Sequence, residues 1–287
     1  MCYIKKFRIT SCVCIVVMSM IFVLCVRLYA EEAENITYPG TEFNKYAQSE
    51  NTSSWVGEPP YFFYSLINRV GFIRQKPVVP SGSIFNVKGN KQMISKGDDI
   101  YIRETRNTSL TLGRYYTTYR TLKPIGDKKT NAHIGVQHYF TGVVEITQKE
   151  PRFVIAKVIQ SFRTIKIDDF LMPYNNRTPK IILTESVKGL EGKIFGAEEH
   201  STILGQHSVA FIDKGKKDGV VPGQQYSIYY QENAQFSPRT KEKIRLPPVD
   251  FGKVLVLHTE DTTSTVLITQ SDKTVYLGAK IHSPNAE

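Results

Sequence analysis

Cysteine is almost absent from this chain of 287 residues, and all four copies lie within the first thirty residues, at Cys2, Cys12, Cys14 and Cys25. A protein that loses this segment on export keeps no cysteine. It can then form no disulfide, offer no thiolate nucleophile and hold no metal through sulfur ligands. Its stability must come from side-chain packing, for which a hydrophobic content of 41% is sufficient.

Charge is missing from the apolar stretch between residues 9 and 26, which follows three basic residues. The small residue Ala30 then precedes an acidic segment. This order is typical of an export signal that is cleaved after Ala30, so we predict a signal peptide over residues 1–30. Leu28, two positions before Ala30, is larger than the residue usual there. An uncleaved signal anchor is therefore the alternative, although the apolar run is short for a spanning helix.

Positive charge is in modest excess. The formal net charge is +10, but residues 1–30 contain four of the 37 basic residues and none of the 27 acidic ones, so the mature chain carries +6. The remaining positive residues are scattered among acids, a balance that suits an acidic envelope polymer without requiring one. We expect no nucleic-acid partner, and membrane contact only if the N-terminal segment is uncleaved.

The sequence patterns of common catalytic and metal sites are also missing. No histidine occurs in HExxH, and no serine stands in G-x-S-x-G or S-x-x-K. The acids of Asp98–Asp99 and of Asp168–Asp169 are adjacent, so on a strand they point to opposite faces and cannot act together on one substrate. We interpret both pairs as turns, and we expect no enzyme, no metal and no cofactor.

Short β-type segments dominate the chain after a polar linker over residues 31–60. They are rich in Val, Ile, Tyr, Phe and Thr and lie between turn signals, for example DIYIR at 99–103 and GKVLVLH at 252–258. Helical periodicity is limited to a possible short turn within 61–71. The fold class predicted is mostly β.

An internal repeat divides this β-rich part. A shift of 110 residues aligns glycines and strand residues without a net gap. Among the matches are Gly82 with Gly192, Gly113 with Gly223, Tyr116 with Tyr226, Gly142 with Gly252 and Gln160 with Gln270. The repeat predicts two tandem related modules of β-barrel or β-sandwich type, at residues 61–174 and 181–284, after the N-terminal signal or anchor segment.

The stretch DKGKKDGVVPGQQYSIYY (213–230) combines glycines with lysines and raises the question of a phosphate site. A phosphate cradle needs a helix N-terminus after its glycine-rich loop. Here a tyrosine-rich β-segment follows, and the counterpart RNTSLTLGRYYTTYR (106–120) keeps only the second glycine. We therefore predict a turn that needs positive φ at Gly113 and Gly223.

The tyrosine-rich strands are the best candidates for a binding surface. Their alternation puts Tyr115 and Tyr119 on one face, and Tyr226 and Tyr230 on one face of the second copy. The favoured interpretation is that one face of each strand packs in the core. The functional alternative is a stacking surface for a glycan or a protein partner. Its candidate residues are Arg114, Tyr115, Tyr119, Arg120, Tyr226 and Tyr230.

The motifs GFIR (71–74), Pro-x-Gly-x-Ile (80–84) and GDDIYI (97–102) follow one another in segment 61–103. With Gly113, Tyr116 and the later segment 160–173, they resemble the region after the LysM domain in bacterial peptidoglycan-binding envelope proteins. The resemblance covers about 61–284 and implies a place in the cell envelope. LysM itself is not seen, because residues 31–60 are too few and too polar. Asp168 also stands where that family favours glycine.

The stretch at 213–230 and the downstream FGKVLVLHTEDTTSTVLI (251–268) are further similar to C-terminal modules of flagellar assembly protein T, a periplasmic ring component. This second resemblance rests on a common β-module pattern. It implies a fold, and a subunit role within an assembly only as an alternative.

Together these features predict a non-catalytic, exported protein of the periplasm or cell envelope, with a binding or scaffolding role near peptidoglycan. The first alternative is a subunit of a periplasmic or outer-membrane protein assembly without glycan affinity. A hydrolase of envelope polymers is the third hypothesis. The partners expected are an envelope protein or peptidoglycan.

Overall fold

The structure is a computed structural model that describes residues 58–284 apart from residues 90, 107, 127–132, 200 and 236–242. The predicted signal segment with Ala30, and the linker up to residue 57, lie outside the described residues. Within residues 58–284, as far as they are described, no helix is long and apolar enough to cross a membrane. Both β-modules belong to one compact unit that begins at Glu58.

Among the described residues, strands account for nearly all of the regular structure, and the two helices are single 3-10 turns. The elements of the N-terminal half are β1 (Tyr61–Phe63), η1 (Ile67–Arg69), β2 (Phe72–Arg74), β3 (Gly82–Val87), β4 (Asp99–Glu104), β5 (Tyr115–Gly126), β6 (His133–Lys149), β7 (Val154–Ser161) and β8 (Phe170–Pro173). Those that follow are β9 (Lys180–Ile182), β10 (Glu191–Ala197), β11 (Ile203–Leu204), β12 (Val209–Ile212), η2 (Lys216–Asp218), β13 (Gln225–Tyr230), β14 (Asn233–Gln235), β15 (Lys243–Arg245), β16 (Val249–Thr259), β17 (Ser264–Ser271), β18 (Val275–Tyr276) and β19 (Lys280–His282). The prediction of a mostly β chain is confirmed.

Six strands of the N-terminal half close into a barrel, which we call barrel 1. The pairing order is β3–β4–β7–β6–β5–β8, and β8 pairs again with β3, each pair being antiparallel. The short strand β2 adds to the same sheet by pairing with β6. Closure pairs each of the six barrel strands on both sides, so the barrel itself has no free edge.

Barrel 2 repeats this topology. Its order is β10–β12–β17–β16–β13–β19, and β19 pairs again with β10. Under a shift of 110 residues, β7 and β17 coincide residue for residue. Even the small pairing of β11 with β18 has a counterpart, the isolated bridge between Ile94 and Ile165. The prediction of two tandem related barrel modules is therefore confirmed.

Strand alternation places branched aliphatic side chains inside each barrel. Ile84 and Val144 in barrel 1, and their counterparts Ile194 and Val254 in barrel 2, are fully buried in two separate interior clusters. A side chain buried in this way stabilises the fold by about 1.5–3 kcal/mol. The two halves of the repeat thus form two similar hydrophobic cores, one inside each barrel.

Residues 213–224 of the glycine–lysine stretch form a turn between β12 and β13. It contains the three-residue η2, followed by Gly219 and Gly223 with φ of 80° and 95°. Gly113, the counterpart of Gly223, has φ of 73°. The predicted turn with positive φ is confirmed, and no helix follows it that could present an N-terminus to an anion.

The chain from η1 to β2, residues 67–74, contacts both barrels, and we call this region with its contacts the junction. Thr265 Oγ1 of barrel 2 donates to the carbonyl of Gly71 at 3.0 Å, and Thr263 Oγ1 donates to the carbonyl of Ile73 at 2.7 Å. An apolar cluster lies beside these bonds and buries part of the outer face of barrel 2. Its members are Ile67, Val70, Ile181, Val209, Leu255, Leu257 and Leu267.

Candidate interaction surface

Tyr119, a predicted surface residue, is completely buried. It packs with Phe72, Phe140 and Met172 in a cluster separate from the barrel interior. Its hydroxyl donates to the carbonyl of Val78 at 3.3 Å, and burial raises the pKa of the phenol to about 12. Its ring is therefore not available to a ligand.

Tyr226 also serves the core, because it belongs to the interior cluster of barrel 2. Its hydroxyl donates to Gln224 Oε1 at 2.8 Å and accepts from the amide of Val187 at 3.4 Å, and burial raises its pKa. Its counterpart Tyr116 lies inside barrel 1, where its hydroxyl accepts from the amide of Thr111 at 3.1 Å. In both barrels this tyrosine is thus a core residue with a satisfied hydroxyl.

Arg120 is held in an ion pair instead of facing a ligand. Its Nε and Nη2 each lie 2.9 Å from a carboxylate oxygen of Asp169, and Nη2 also donates to the carbonyl of Thr164 at 2.7 Å. Thr141 Oγ1 and the amide of Lys166 both donate to Asp169 Oδ2 at 3.0 Å. These bonds fix the loop that precedes β8.

Three of the six residues predicted to form a binding surface are at least partly exposed, two on barrel 1 and one on barrel 2. Arg114 and Tyr115 are exposed on barrel 1, and the ring of Tyr115 lies 6.4 Å from that of Tyr174. Tyr230 of barrel 2 is half-buried, with the ammonium of Lys273 4.3 Å from its ring centroid. Only Arg114 and Tyr115 are neighbours, so the structure does not gather the six candidates on one surface.

Sequence reasoning missed an aromatic surface on barrel 1, formed by Phe85, Tyr101 and Phe153. Their ring centroids lie 5.7–6.2 Å apart, and Tyr101 and Phe153 meet edge to face at 85°. Phe85 is 37% exposed, and the guanidinium of Arg103 lies 5.7 Å from its ring centroid. The signal was present in the alternation of β3 and β4, where Phe85 and Tyr101 are each next to an interior isoleucine, whereas Phe153 lies just before β7.

Most of the same face of barrel 2 is covered. The repeat puts Phe195, Phe211 and Thr263 at the positions of the aromatic surface. Phe211 is completely buried, Phe195 is half-buried with its ring 6.4 Å from that of Phe211, and Thr263 bonds to the junction. Barrel 1 therefore leaves partly exposed a face that barrel 2 uses largely for internal contacts, and aromatic side chains occupy that face.

Glu198 is the buried carboxylate of the junction. Its Oε1 accepts from the amide of Gly71 at 2.8 Å, and Arg163 Nη2 lies 2.9 Å from its Oε2 as an ion pair. Burial raises the pKa of Glu198, and the nearby Arg163 opposes that effect. The pair thus ties barrel 1 to the end of β10.

A second group of ionisable side chains lies at the edge of the junction. Burial by itself would raise the pKa of Glu260, but hydrogen bonds and charges from His258 and Arg74 lower it to about 2. His258 Nε2 and Arg74 Nε contact this carboxylate at 3.0 Å and 2.9 Å. Burial, with the charge of Arg74, lowers the pKa of His138 to about 4. Glu260 is thus paired with Arg74 of β2 and His258 of barrel 2, and this pairing helps to hold the junction together.

In the part of the chain that the structure describes, no three His, Cys, Asp or Glu side chains are grouped so that they could hold a metal ion. No model of a known protein family matches the chain, and no curated protein matches it. The geometry of the aromatic surface and of the junction is therefore the basis for proposing a function.

Proposed function

We propose that this chain is a non-catalytic, exported protein of the cell envelope with a binding or scaffolding role near peptidoglycan. The observation that carries the proposal is the aromatic surface, which is partly exposed on barrel 1, while two of its three counterparts on barrel 2, Phe211 and Thr263, are buried. Aromatic rings beside an arginine bury much area at low entropic cost and dominate many binding surfaces. The junction unites the two barrels in one body, which suits a scaffold.

Peptidoglycan matches the chemistry of this surface. Its sugar rings have apolar faces that can pack on aromatic side chains, and its peptides carry carboxylates that Arg103 can pair with. The mature net charge of +6 supports attraction to such an acidic polymer.

Retention on purified sacculi at physiological salt tests this proposal. We expect the mature chain to be retained above an unrelated protein of similar net charge, and the double variant Phe85→Ser, Phe153→Ser to lose that retention. Phe63→Ser is the matched control, because Phe63 is 62% exposed and lies on β1, outside the aromatic surface. Equal retention of the double variant would contradict the role of the aromatic surface.

A protein partner is the second candidate, and the packing of the rings favours it. Phe85 and Tyr101 both contact Phe153 edge to face, so the rings do not form the flat platform that best stacks a sugar. In this case the chain is a subunit of an envelope assembly without glycan affinity. Crosslinking in cells should then capture one stoichiometric partner, and the Phe85→Ser, Phe153→Ser variant should lose it while Phe63→Ser keeps it.

A further inference from the structure

The positive charge of the mature chain is concentrated in barrel 1. Residues 61–174 contain 18 basic and eight acidic residues, whereas residues 181–284 contain 12 of each. The fold itself does not require the extra cations, because barrel 2 forms the same topology without them. An excess of charge that the fold does not require is a candidate for contact with an anionic partner.

Part of this excess lies at one end of barrel 1. The antiparallel pairings bring the ends of β4, β6 and β8 and the beginnings of β3, β5 and β7 together there. Residues 103–115 and 149–153 of this end include five basic and two acidic residues. Their counterparts at 213–225 and 259–263 in barrel 2 include three basic and four acidic ones. The two barrels therefore differ in the sign of their charge at this end.

The acids at this end of barrel 1 are already engaged. Lys149 lies 3.0 Å from the carboxylate of Glu104 as an ion pair, and Gln148 donates to the carboxylate of Glu150. Besides Arg103, which lies beside the aromatic surface, three arginines are exposed here and have no ion-pair partner in the part of the chain that the structure describes. They are Arg106, Arg114 and Arg152, and we call this region the arginine end.

The equivalent end of barrel 2 is covered by its own chain. A Cβ added at Gly223 would lie 2.0 Å from the carbonyl oxygen of Ile182, and Thr184 pairs with Gln224 beside it. A Cβ added at the counterpart Gly113 would meet no heavy atom within 4 Å. The same turn is thus closed in barrel 2 and open in barrel 1.

The topology explains why the arginine end stays open. The counterparts of Ile182 and Thr184, which cover barrel 2, are Phe72 and Arg74. Both belong to β2, which pairs with β6 at the junction and does not return to the turn at Gly113. The arginine end therefore lacks the cover that the repeat would provide.

Two apolar side chains are exposed among these arginines. Leu112 is 61% exposed and Tyr115 is 46% exposed. Leu112 lies in a turn in which the amide of Arg114 donates to the carbonyl of Thr111 at 3.2 Å, so its position is fixed. A soluble polyanion could pair with the arginines but would offer nothing to Leu112. An anionic bilayer offers phosphates at its surface and an apolar layer directly beneath them.

We propose that the arginine end binds the surface of an anionic lipid bilayer. Its three arginines pair with lipid phosphates, while Leu112 enters the boundary between headgroups and acyl chains and Tyr115 lies at the level of the headgroups. This contact needs no N-terminal anchor, so it adds a partner to those expected from the sequence. It also does not depend on the aromatic surface or on the function proposed above.

Vesicle flotation of the mature chain, without residues 1–30, tests this proposal. The probes are phosphatidylcholine vesicles with and without about one-third phosphatidylglycerol. We expect binding to the anionic vesicles alone, and less binding as salt is added. Equal binding to both kinds of vesicle, or binding to neither, would overturn the proposal. Sacculi contain no bilayer, so retention on sacculi succeeds or fails separately.

Two triple variants remove the same net charge from different places. The first replaces the three arginines of the arginine end by serine: Arg106→Ser, Arg114→Ser and Arg152→Ser. The second replaces three exposed lysines of barrel 2: Lys216→Ser, Lys217→Ser and Lys253→Ser. The first should weaken vesicle binding about a hundredfold, at about fivefold for each arginine, and the second should retain most of it. Equal losses in the two variants would contradict a site at the arginine end.

Leu112→Ser distinguishes a bilayer from a soluble polyanion, because it leaves the charge unchanged. It should weaken vesicle binding about tenfold without changing the affinity for inorganic polyphosphate. Ile203→Ser is the matched control, since Ile203 is 62% exposed on barrel 2, and it should bind vesicles like the wild type. If Leu112→Ser also binds vesicles like the wild type, the arginine end serves a soluble polyanion and the proposal is wrong.

Discussion

At the scale of single residues, His138 is a neutral acceptor buried beside the junction. Its ring stacks on Phe72 with centroids 4.6 Å apart, and its Nε2 accepts from the amide of Val78 at 3.0 Å. A proton on Nε2 would turn this acceptor into a second donor facing the Val78 amide. Burial and the nearby Arg74 also disfavour the imidazolium, and its pKa falls to about 4 from an ordinary value of 6.5.

The pKa of His138 predicts how stability depends on pH. Between pH 6.5 and about 4 the unfolded chain binds this proton and the native chain does not, so the free energy of unfolding decreases as the pH falls through this window. The full loss is about 3 kcal/mol. Urea unfolding of the wild type and of His138→Gln across this range measures it.

The variant should show a shallower slope than the wild type between pH 6.5 and 4, whatever its stability at neutral pH. Glu260, whose pKa is lowered from 4.5 to about 2, begins to reduce stability near pH 4.5, but it does so in both proteins and therefore does not mask the difference. Parallel slopes for the two proteins would contradict a neutral, buried His138.

Left-handed backbone positions give a second prediction at this scale. Gly97 has φ of 93°, and a Cβ added there would meet no heavy atom within 4 Å, so space does not limit a substitution. Gly97→Ala should still lower the free energy of unfolding by about 1 kcal/mol, because the left-handed conformation disfavours a Cβ. Gly205→Ala is the control, since Gly205 has equally open space without a positive φ. Thermal unfolding that ranks Gly205→Ala as the more damaging change would contradict this explanation.

The tyrosines show why residue type alone could not identify a binding surface. Alternation correctly separates Tyr115 from Tyr116, since Tyr115 is exposed and Tyr116 is interior. It cannot tell that Phe72 and Phe140 cover Tyr119, because those rings come from distant parts of the chain. Whether a residue on the outer face of a barrel is exposed depends on which other segments pack over it, and the local sequence does not show this.

At the scale of elements, β2 depends on barrel 2 as well as on β6. The hydroxyls of Thr263 and Thr265 satisfy two carbonyl groups at β2 and just before it, and both threonines are buried. Without those hydroxyls, the carbonyls of Gly71 and Ile73 would lose donors in a place that excludes water. An unsatisfied buried acceptor is more costly than the bond alone is worth.

We therefore expect Thr263→Val and Thr265→Val each to reduce the free energy of unfolding by about 1–3 kcal/mol. Thr269→Val is the matched control, because its exposed hydroxyl donates to the carbonyl of Lys253 at the surface, and its effect should stay within about 0.5 kcal/mol. Urea unfolding checks all three variants. Equal effects at the three positions would show that the hydroxyls do not hold β2.

The strands of the barrels could be predicted from the sequence, whereas the junction could not. β7 and β17, the two copies of one strand, are rich in Val, Ile and Thr, and the 110-residue repeat adds a second, independent sign of the same element. The junction has neither signal. Gly71 meets Glu198 and Thr265 across more than a hundred residues of chain, and the strand that follows it has only three residues.

At the scale of the whole molecule, the junction covers the outer face of barrel 2 but not the matching face of barrel 1. Apolar residues of η1 and β9 cover part of the outer face of barrel 2, and the barrel 2 residues that they contact are apolar as well. The counterparts of Val209, Leu255 and Leu267 in barrel 1 are Asp99, Glu145 and Lys157, which suit a face in contact with water. The aromatic surface on barrel 1 is an exception within this polar face. That exception supports a role in binding.

The junction should also make the two barrels unfold together. Glu198 is 2% exposed and paired with Arg163, so Glu198→Ala leaves a buried arginine without its partner, at a cost of about 3–5 kcal/mol. We expect a single calorimetric transition in the wild type, with equal van't Hoff and calorimetric enthalpies, and two separable transitions in Glu198→Ala. The control is Asp99→Ala, which removes the exposed pair of Asp99 with Lys88 and should change stability by at most about 1 kcal/mol without splitting the transition. Two transitions in the wild type would mean that the barrels fold independently and that the junction is too weak to unite them.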